Sequence, residues 1–128
     1  MNRQVVNTSG APQPVGPYSQ AVTVGDFIFC SGQIPLDPLT NTLVEGGIQV
    51  QTRRILDNLE AVLEAVGSSL EKAVKLTVYL KDMNDFNDLN QVFAERFKTH
   101  PPARAVVQVA ALPKNASIEV DLIAWVGK

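Results

Sequence analysis

The feature that most constrains the fold is an apolar stripe of helical spacing in the middle of the chain. Gly46 and Gly47 precede the stripe, and Gly67 follows it at the point where a helix would end. The pattern predicts an amphipathic helix over residues 48–66 that buries one face against another layer. The stripe consists of Ile48, Thr52, Ile55, Leu56, Leu59, Val62, Leu63 and Val66. The charged side chains of the same segment fall mostly off the stripe and are interpreted as a solvated face: Arg53, Arg54, Asp57, Glu60 and Glu64.

After this helix the spacing changes to that of a strand and then returns to that of a helix. Residues 73–81 alternate apolar and polar side chains, which predicts a strand with one buried face. Residues 84–98 predict a second helix, with Asn84 or Asp85 as its cap. Asn90 falls on the inner side of this helix, where we expect it to fix a loop rather than contact a ligand. The same inner side carries Phe86, Leu89, Phe93 and Phe97.

The remaining apolar runs predict a sheet. Residues 18–24 and 27–31 form a hairpin through a two-residue turn, and residues 103–110 and 117–126 form the last two strands. A further short strand could precede Gly10. The order predicts an α+β fold, a mixed sheet with both helices packed on one face. The other face needs a cover, and Val106, Ile123 and Trp125 are candidates for an apolar surface that oligomerisation would bury.

The bulk composition indicates one ordinary globular domain over residues 1–128. The formal charge is -2 and no basic cluster exceeds two residues, so neither nucleic acid nor a membrane is an expected partner. The beginning of the chain has no signal-peptide pattern, and the cytosol is the default location, although a processed organellar protein would have the same features. The single cysteine, Cys30, fits a reducing compartment and is interpreted as a small buried filler.

Arg104 and Glu119 are the charged groups that most suggest chemistry. Arg104 lies in an otherwise half-buried strand, where its guanidinium needs an anion: a ligand carboxylate, an internal salt bridge, or solvent at an edge. If the last two strands pair through a turn near Pro113, Arg104 lies opposite Ile123. The two charges then share a face at a separation of roughly 13 Å. That leaves room for a small ligand or for groups of a neighbouring subunit, although a slip of one residue would place them on opposite faces.

Other candidates lie at strand and loop boundaries. Tyr18, Ser31 and Gly32 stand where polar groups and free backbone can face a cleft. Ser31 beside Cys30 has no visible partner base, and the one histidine, His100, makes a Ser-His or Cys-His system a remote alternative. The sequence offers no metal-ligand spacing and no phosphate-binding glycine motif.

Five short segments together resemble a known family. They are residues 16–21 (GPYSQA), 31–35 (SGQIP), 102–104 (PAR), 111–114 (ALPK) and 118–119 (IE). In this order and spacing they closely resemble the reactive intermediate deaminase family (Rid, also called YjgF), of the RidA type. The resemblance runs from about residue 11 to residue 124. It implies a fold similar to bacterial chorismate mutase and a homotrimer with ligand sites in the clefts between subunits.

The resemblance also implies an activity and roles for residues. Family members hydrolyse reactive 2-enamines and 2-imines, such as 2-aminoacrylate, 2-iminopropanoate and 2-iminobutanoate, which PLP enzymes release. The products are 2-oxo acids and ammonia, and no cofactor is needed. Arg104 matches the arginine that clamps the substrate carboxylate, and Glu119 matches the glutamate thought to position or activate water. Tyr18, Ser31 and Gly32 match residues that line the same cleft.

One position departs from the family pattern, and other functions stay open. Many RidA proteins carry a cysteine two residues after the arginine, whereas this chain has Val106, which excludes a nucleophilic or redox role there and leaves an apolar pocket wall. A small-molecule sensor or chaperone could use the same clefts without turnover. A ribonuclease or translation inhibitor is also attributed to relatives, but the acidic charge balance disfavours direct RNA binding.

Overall fold

The computed structural model describes residues 2–127, which form one mixed sheet with two helices. The strands are β1 (Arg3–Val6), β2 (Ala21–Val24), β3 (Phe27–Gln33), β4 (Ala73–Leu80), β5 (Ala103–Gln108) and β6 (Ile118–Trp125). The helices are α1 (Ile48–Glu64) and α2 (Phe86–Arg96). The predicted α+β class, the short first strand and the two helices are therefore confirmed, whereas the predicted strand over residues 18–24 begins three residues later.

The sheet order is β1-β2-β3-β6-β4-β5, with every neighbouring pair antiparallel except β4 and β5. Two strand-helix-strand units, β3-α1-β4 and β4-α2-β5, build the parallel part of this arrangement. The helices contact each other on one side of the sheet. The predicted mixed sheet with both helices on one face is correct.

The ends of the helices follow local backbone chemistry. Gly67 has φ +78, a left-handed conformation that glycine adopts without strain, and the Ser68 N–H donates to the carbonyl of Leu63 at 2.9 Å. The second helix has Asp85, one of the two predicted cap residues, at its N-cap position. Asp82 accepts from the N–H of Asn84 and caps a short 3-10 turn that precedes α2, while Asp85 at the start of α2 makes no side-chain cap bond. Neither helix within residues 2–127 is long and apolar enough to cross a membrane.

The sequence predicts a solvated charged face on α1, but part of this face forms ion pairs with α2. Arg53 pairs with Glu95 at 3.0 Å, and Arg96 pairs with Asp57 at 3.0 Å. These pairs join α1 to α2 across their outer surface. Because the side chains are exposed or partly exposed, the pairs orient the helices more than they stabilise them.

The core lies between the helices and one face of the sheet. Along β6, Ile118, Val120, Leu122 and Ala124 are buried beneath the helices, while the residues between them point to the other face. The stripe of α1 supplies the opposite side of the core, with Ile55, Leu56, Leu59, Val62 and Leu63 at 0% exposure. The helical stripe predicted from the sequence is therefore the packing surface of α1.

The predicted pairing of the last two strands is wrong. Strands β5 and β6 are not neighbours, because β4 lies between them. The connection through α2 brings β5 back parallel to β4, as a strand-helix-strand crossover does. The regular burial of alternate β6 residues suits a central strand, whereas β5 is half-exposed and occupies the edge. The short link between β5 and β6 indicated a hairpin, but their different burial patterns agree with an edge position for β5 and a central position for β6.

The face of the sheet away from the helices is rich in apolar side chains. Phe29 lies beside Ile123, and Phe27 beside Trp125, with Phe27, Phe29 and Trp125 each about two-fifths exposed. We call this surface the open face. The prediction that Ile123 and Trp125 lie there is correct. Val106 is not on the open face, because it pairs with buried Val78 and packs against the core below the helices.

Two leucine substitutions test the location of the core. Leu56→Ala removes a side chain that is 0% exposed, and we expect it to lower the free energy of unfolding by about 2–5 kcal/mol. Leu39→Ala makes the same chemical change at a site that is 91% exposed, and its effect should stay within about 0.5 kcal/mol. Urea unfolding at one fixed protein concentration measures both. Equal losses in the two variants would contradict the assigned core.

Candidate functional site

A bulge in β3 shapes the pocket around Glu119. The register between β3 and β6 shifts between Cys30 and Gln33, so Ser31 and Gly32 together oppose one stretch of β6. The Glu119 carboxylate lies against Gly32, in the space that a Cβ atom there would fill. Glycine is required at this position because of the close approach, since its φ is not in the left-handed region. The bulge thus makes room for an acidic side chain at the edge of the open face.

The Glu119 cavity has a volume of about 110 Å³. Tyr18, Gly32 and Glu119 line it together, which brings three of the predicted site residues into one place. Ser31 lies next to Gly32, and its hydroxyl donates to the carbonyl of Ser19 at 2.6 Å. Other lining residues include Pro12, Val15, Gln20, Ile34, Leu36 and Lys114.

Glu119 carries a carboxyl group with perturbed acidity. Partial burial raises its pKa above the ordinary glutamate value, and the negative charge of Asp121, two residues along the same face, raises it further. Asp121 itself accepts a hydrogen bond from the Tyr79 hydroxyl at 3.0 Å. The side chain of Glu119 makes no ion pair or hydrogen bond with any of residues 2–127. A carboxylate with a raised pKa and no protein partner can accept a proton or hydrogen-bond a water molecule.

The Arg104 cavity is a second, separate feature beneath α2. The guanidinium of Arg104 lies over the rings of Phe93 and Phe86, at 5.1 and 5.6 Å from the ring centroids. Asn90, Phe93, Ala94, Phe97, Pro101, Pro102 and Arg104 line a cavity of about 560 Å³. The prediction that Asn90 is buried and fixes a loop is wrong: it is half-buried and faces this cavity. Its place on the same helical side as Phe86 and Phe93 was the signal available in the sequence.

Arg104 forms no ion pair with any of residues 2–127. Partial burial lowers the pKa of its guanidinium, which still remains charged at neutral pH. The internal salt bridge considered from the sequence is therefore absent from the described part of the chain. The two rings hold the cation in place while its hydrogen-bond donors stay available to an anion.

Arg104 and Glu119 lie on opposite faces of the sheet, contrary to the predicted shared face. Arg104 pairs with Leu76 on the helix side, whereas Glu119 lies beside Tyr79 on the open face. Val107 is the β5 residue opposite Tyr79, three residues after Arg104. The Cα atoms of Arg104 and Glu119 are therefore ~14 Å apart with their side chains directed away from each other. One chain cannot present both groups to one small ligand.

The other candidates take no part in either cavity. Val106 lies on the helix side of β5 and outside the lining of both cavities described for residues 2–127. Cys30 is buried, as predicted, and burial raises the pKa of its thiol to about 12, which makes it unreactive at neutral pH. Among residues 2–127, no three His, Cys, Asp or Glu side chains gather in a way that could hold a metal ion.

Comparison with known proteins identifies the family. Residues 8–126 match the sequence family described as Endoribonuclease L-PSP. The chain belongs to the Rid/YjgF family. The resemblance noted in its sequence is thus confirmed.

Individual relatives of this Rid/YjgF protein carry different descriptions. A RutC family protein of Pyrococcus horikoshii is 52% identical, over 96% of this chain and 98% of the relative. A human 2-iminobutanoate/2-iminopropanoate deaminase is 46% identical, over 98% of this chain and 91% of the human protein. The crystal structure of E. coli TdcF with bound serine superimposes with a TM-score of 0.89 at 38% identity, covering 95% of this chain and 98% of TdcF.

Replacing Glu119 by glutamine should stabilise this Rid/YjgF protein at neutral pH. Because the pKa of Glu119 is raised in the folded state, its contribution is favourable below the unfolded pKa and is lost as the pH rises through the folded pKa. We therefore expect Glu119→Gln to be more stable than wild type at pH 7, by less than about 1 kcal/mol given solvent screening. The difference should vanish below about pH 4. Urea unfolding across this range measures it, with Glu45→Gln, the same substitution at an exposed position, as the control.

Gly32→Ala should disturb the Glu119 pocket through steric overlap alone. The new Cβ would meet the Glu119 carboxylate, so the side chain must move and the protein should lose about 1–3 kcal/mol of stability. Gly47→Ala is the matched control, since no atom lies within 4 Å of a Cβ there. Carboxyl NMR titration should show a changed Glu119 pKa in Gly32→Ala and an unchanged one in Gly47→Ala. An unaltered Glu119 in both variants would disprove the close approach.

Proposed function

We propose that the protein is a deaminase that hydrolyses 2-imines and 2-enamines of small 2-oxo acids. The observation that carries this proposal is the presence of two complementary half-sites: an unpaired guanidinium on Arg104 and a small pocket around Glu119. A guanidinium suits the carboxylate of such a substrate, and a half-buried glutamate suits the proton transfer. The identity with the human deaminase supports the same activity, and the serine bound to E. coli TdcF supports a ligand of amino-acid size.

The complete site is proposed to form between subunits of a homotrimer. Arg104 and Glu119 of one chain are ~14 Å apart on opposite faces, so a ligand held by both needs one group from each of two chains. The apolar open face, with Phe27, Phe29 and Trp125, offers a surface that assembly would bury. Cyclic symmetry then repeats the same composite site at each interface.

The proposed chemistry needs little from the protein. The imine carbon is already electrophilic, and Arg104 would fix the substrate by its carboxylate. Glu119 would orient a water molecule and take its proton as the oxygen bonds to the imine carbon. Return of that proton to the imine nitrogen gives a carbinolamine. Transfer of its hydroxyl proton to the same nitrogen, through Glu119, then lets ammonia leave as the carbon–nitrogen bond breaks and the carbonyl of the 2-oxo acid forms. The sum is one water consumed and one ammonia released, so the reaction needs no cofactor.

A ribonuclease is the second candidate, because the matching family is described as Endoribonuclease L-PSP. The charge of -2 and the absence of a basic run longer than Arg53-Arg54 disfavour it. A sensor or chaperone that binds the ligand without turnover is the third. RNA binding with a steep salt dependence would favour the second, and a ligand released unchanged would favour the third.

A coupled assay tests the deaminase directly. Threonine dehydratase and threonine generate 2-iminobutanoate in place, semicarbazide traps what persists, and the purified protein competes for it. We expect wild type to reduce the trapped imine and Arg104→Ala to lose this effect while its oligomeric state, measured by light scattering, is unchanged. Glu119→Gln should bind 2-oxobutanoate but turn over slowly. A correctly assembled wild type that leaves the trapped imine unchanged would refute the activity.

Mixing the two inactive variants tests whether the site is shared between chains. After subunit exchange at a 1:1 ratio, a site that takes Arg104 from one chain and Glu119 from its neighbour is intact in about one quarter of random combinations. About one quarter of wild-type activity should therefore return. A site formed within one chain would recover none, because no single chain in the mixture carries both residues.

A further inference from the structure

Gln20 is a buried polar hub at the wall of the Glu119 cavity. It is 1% exposed, and its amide makes hydrogen bonds in both directions to the segment 8–12. The Thr8 N–H donates to Oε1 at 2.7 Å, while Nε2 donates to the carbonyls of Thr8 at 3.0 Å, Pro12 at 2.9 Å and Ala11 at 3.3 Å. A buried amide with this many partners holds the segment in one position.

The backbone around Gln20 is fixed to β3 at the bulge that accommodates Glu119. The carbonyl of Gln20 accepts from the Ser31 N–H at 2.9 Å, and the Ser31 hydroxyl donates to the carbonyl of Ser19. Tyr18 is two residues away and lines the cavity, as do Pro12 and Gln20 itself. Gln20 therefore joins the three pieces of chain that surround Glu119: the 8–12 segment, the Tyr18 segment and the β3 bulge.

We propose that Gln20 is a positioning residue for the Glu119 cavity, setting the place of Tyr18 and of the 8–12 wall relative to Glu119. Its effect on turnover rests on the proposed deaminase function, whereas its effect on the pocket does not. Because a displacement near 1 Å in a site can cost about 100-fold in rate, loss of this hub should reduce catalysis without removing any group that touches the substrate.

Two substitutions separate positioning from simple stability. Gln20→Met keeps the length of the side chain and removes all of its hydrogen bonds. Gln20→Glu keeps the acceptor for the Thr8 N–H. When its carboxyl group is ionised, however, the oxygen that replaces Nε2 cannot donate and is repelled by the carbonyl oxygens of residues 8, 11 and 12. Burial and these carbonyls disfavour the charge, so the variant should recover as its carboxyl protonates. The cavity is also lined by the ionisable side chains of Tyr18, Lys114 and Glu119, so wild type is the reference at each pH.

Fluorine NMR can report the position of Tyr18 independently of any activity measurement. The chain contains two tyrosines, Tyr18 and Tyr79, so 3-fluorotyrosine labelling gives two fluorine resonances, assigned with Tyr79→Phe. We expect Gln20→Met to shift the Tyr18 resonance and leave that of Tyr79 in place. The Tyr18 resonance of Gln20→Glu should differ from wild type at pH 8 and approach it near pH 5. Ser68→Ala, which removes a buried bond to the carbonyl of Trp125, should lower stability and move neither resonance.

The kinetic test uses the coupled assay on the same proteins. We expect kcat/KM to fall by about 10- to 100-fold in Gln20→Met and to stay at the wild-type value in Ser68→Ala. An unmoved Tyr18 resonance in folded Gln20→Met, or an unchanged kcat/KM in an active background, would overturn the proposal. If Gln20→Met does not fold, Gln20→Glu provides the test. A Tyr18 resonance that returns toward its wild-type position near pH 5 supports the proposal, and one that equals wild type at both pH values overturns it. An inactive wild type would refute the deaminase while the fluorine result still tests Gln20.

Discussion

The two-sided character of β6 is the constraint on which the rest of the structure depends. Its alternate residues are buried under the helices, so the intervening residues must point to the other face. Glu119 and Asp121 are consequently held on a surface that also carries Ile123 and Trp125. A carboxylate among apolar side chains loses hydration, which raises the pKa of Glu119. The same alternation that closes the core thus places an acidic group with a raised pKa on the open face.

Much of the fold follows from periodicity in the sequence. The stripe from Ile48 to Val66 predicted α1 to within two residues, and the alternation after Ala73 predicted β4, because each pattern reflects burial of one local face. Strand order could not be obtained in this way. The link from Gln108 to Ile118 is compatible with a hairpin, but the crossover through α2 and the deeper burial of β6 determine which strands pair. Strand pairing depends on competition among all strands, so it cannot be inferred from the sequence of any single segment.

The candidate site was likewise predictable only where local motifs define it. Tyr18, Gly32 and Glu119 could be grouped from their motifs, and the structure brings them together in one cavity. The face of Arg104 could not be predicted, because it depends on the partner of β5, and the error in pairing became an error in geometry. The proposed role of Gln20 could not be predicted either, since its partners are backbone groups of residues 8–12, which carry no side-chain signature.

The separation of Arg104 from Glu119 has a physical advantage for the proposed function. If both lay on one face within reach, they would form an ion pair, and each would satisfy the other instead of a ligand. On opposite faces of the same chain, the guanidinium lies over aromatic rings and the carboxylate lies in its glycine-lined pocket, and neither is neutralised. Assembly would then bring together two groups that are still unpaired, with the ligand between them. The proposed substrate, an imine that carries both a carboxylate and an electrophilic carbon, would offer an anion to one half-site and a reacting centre to the other.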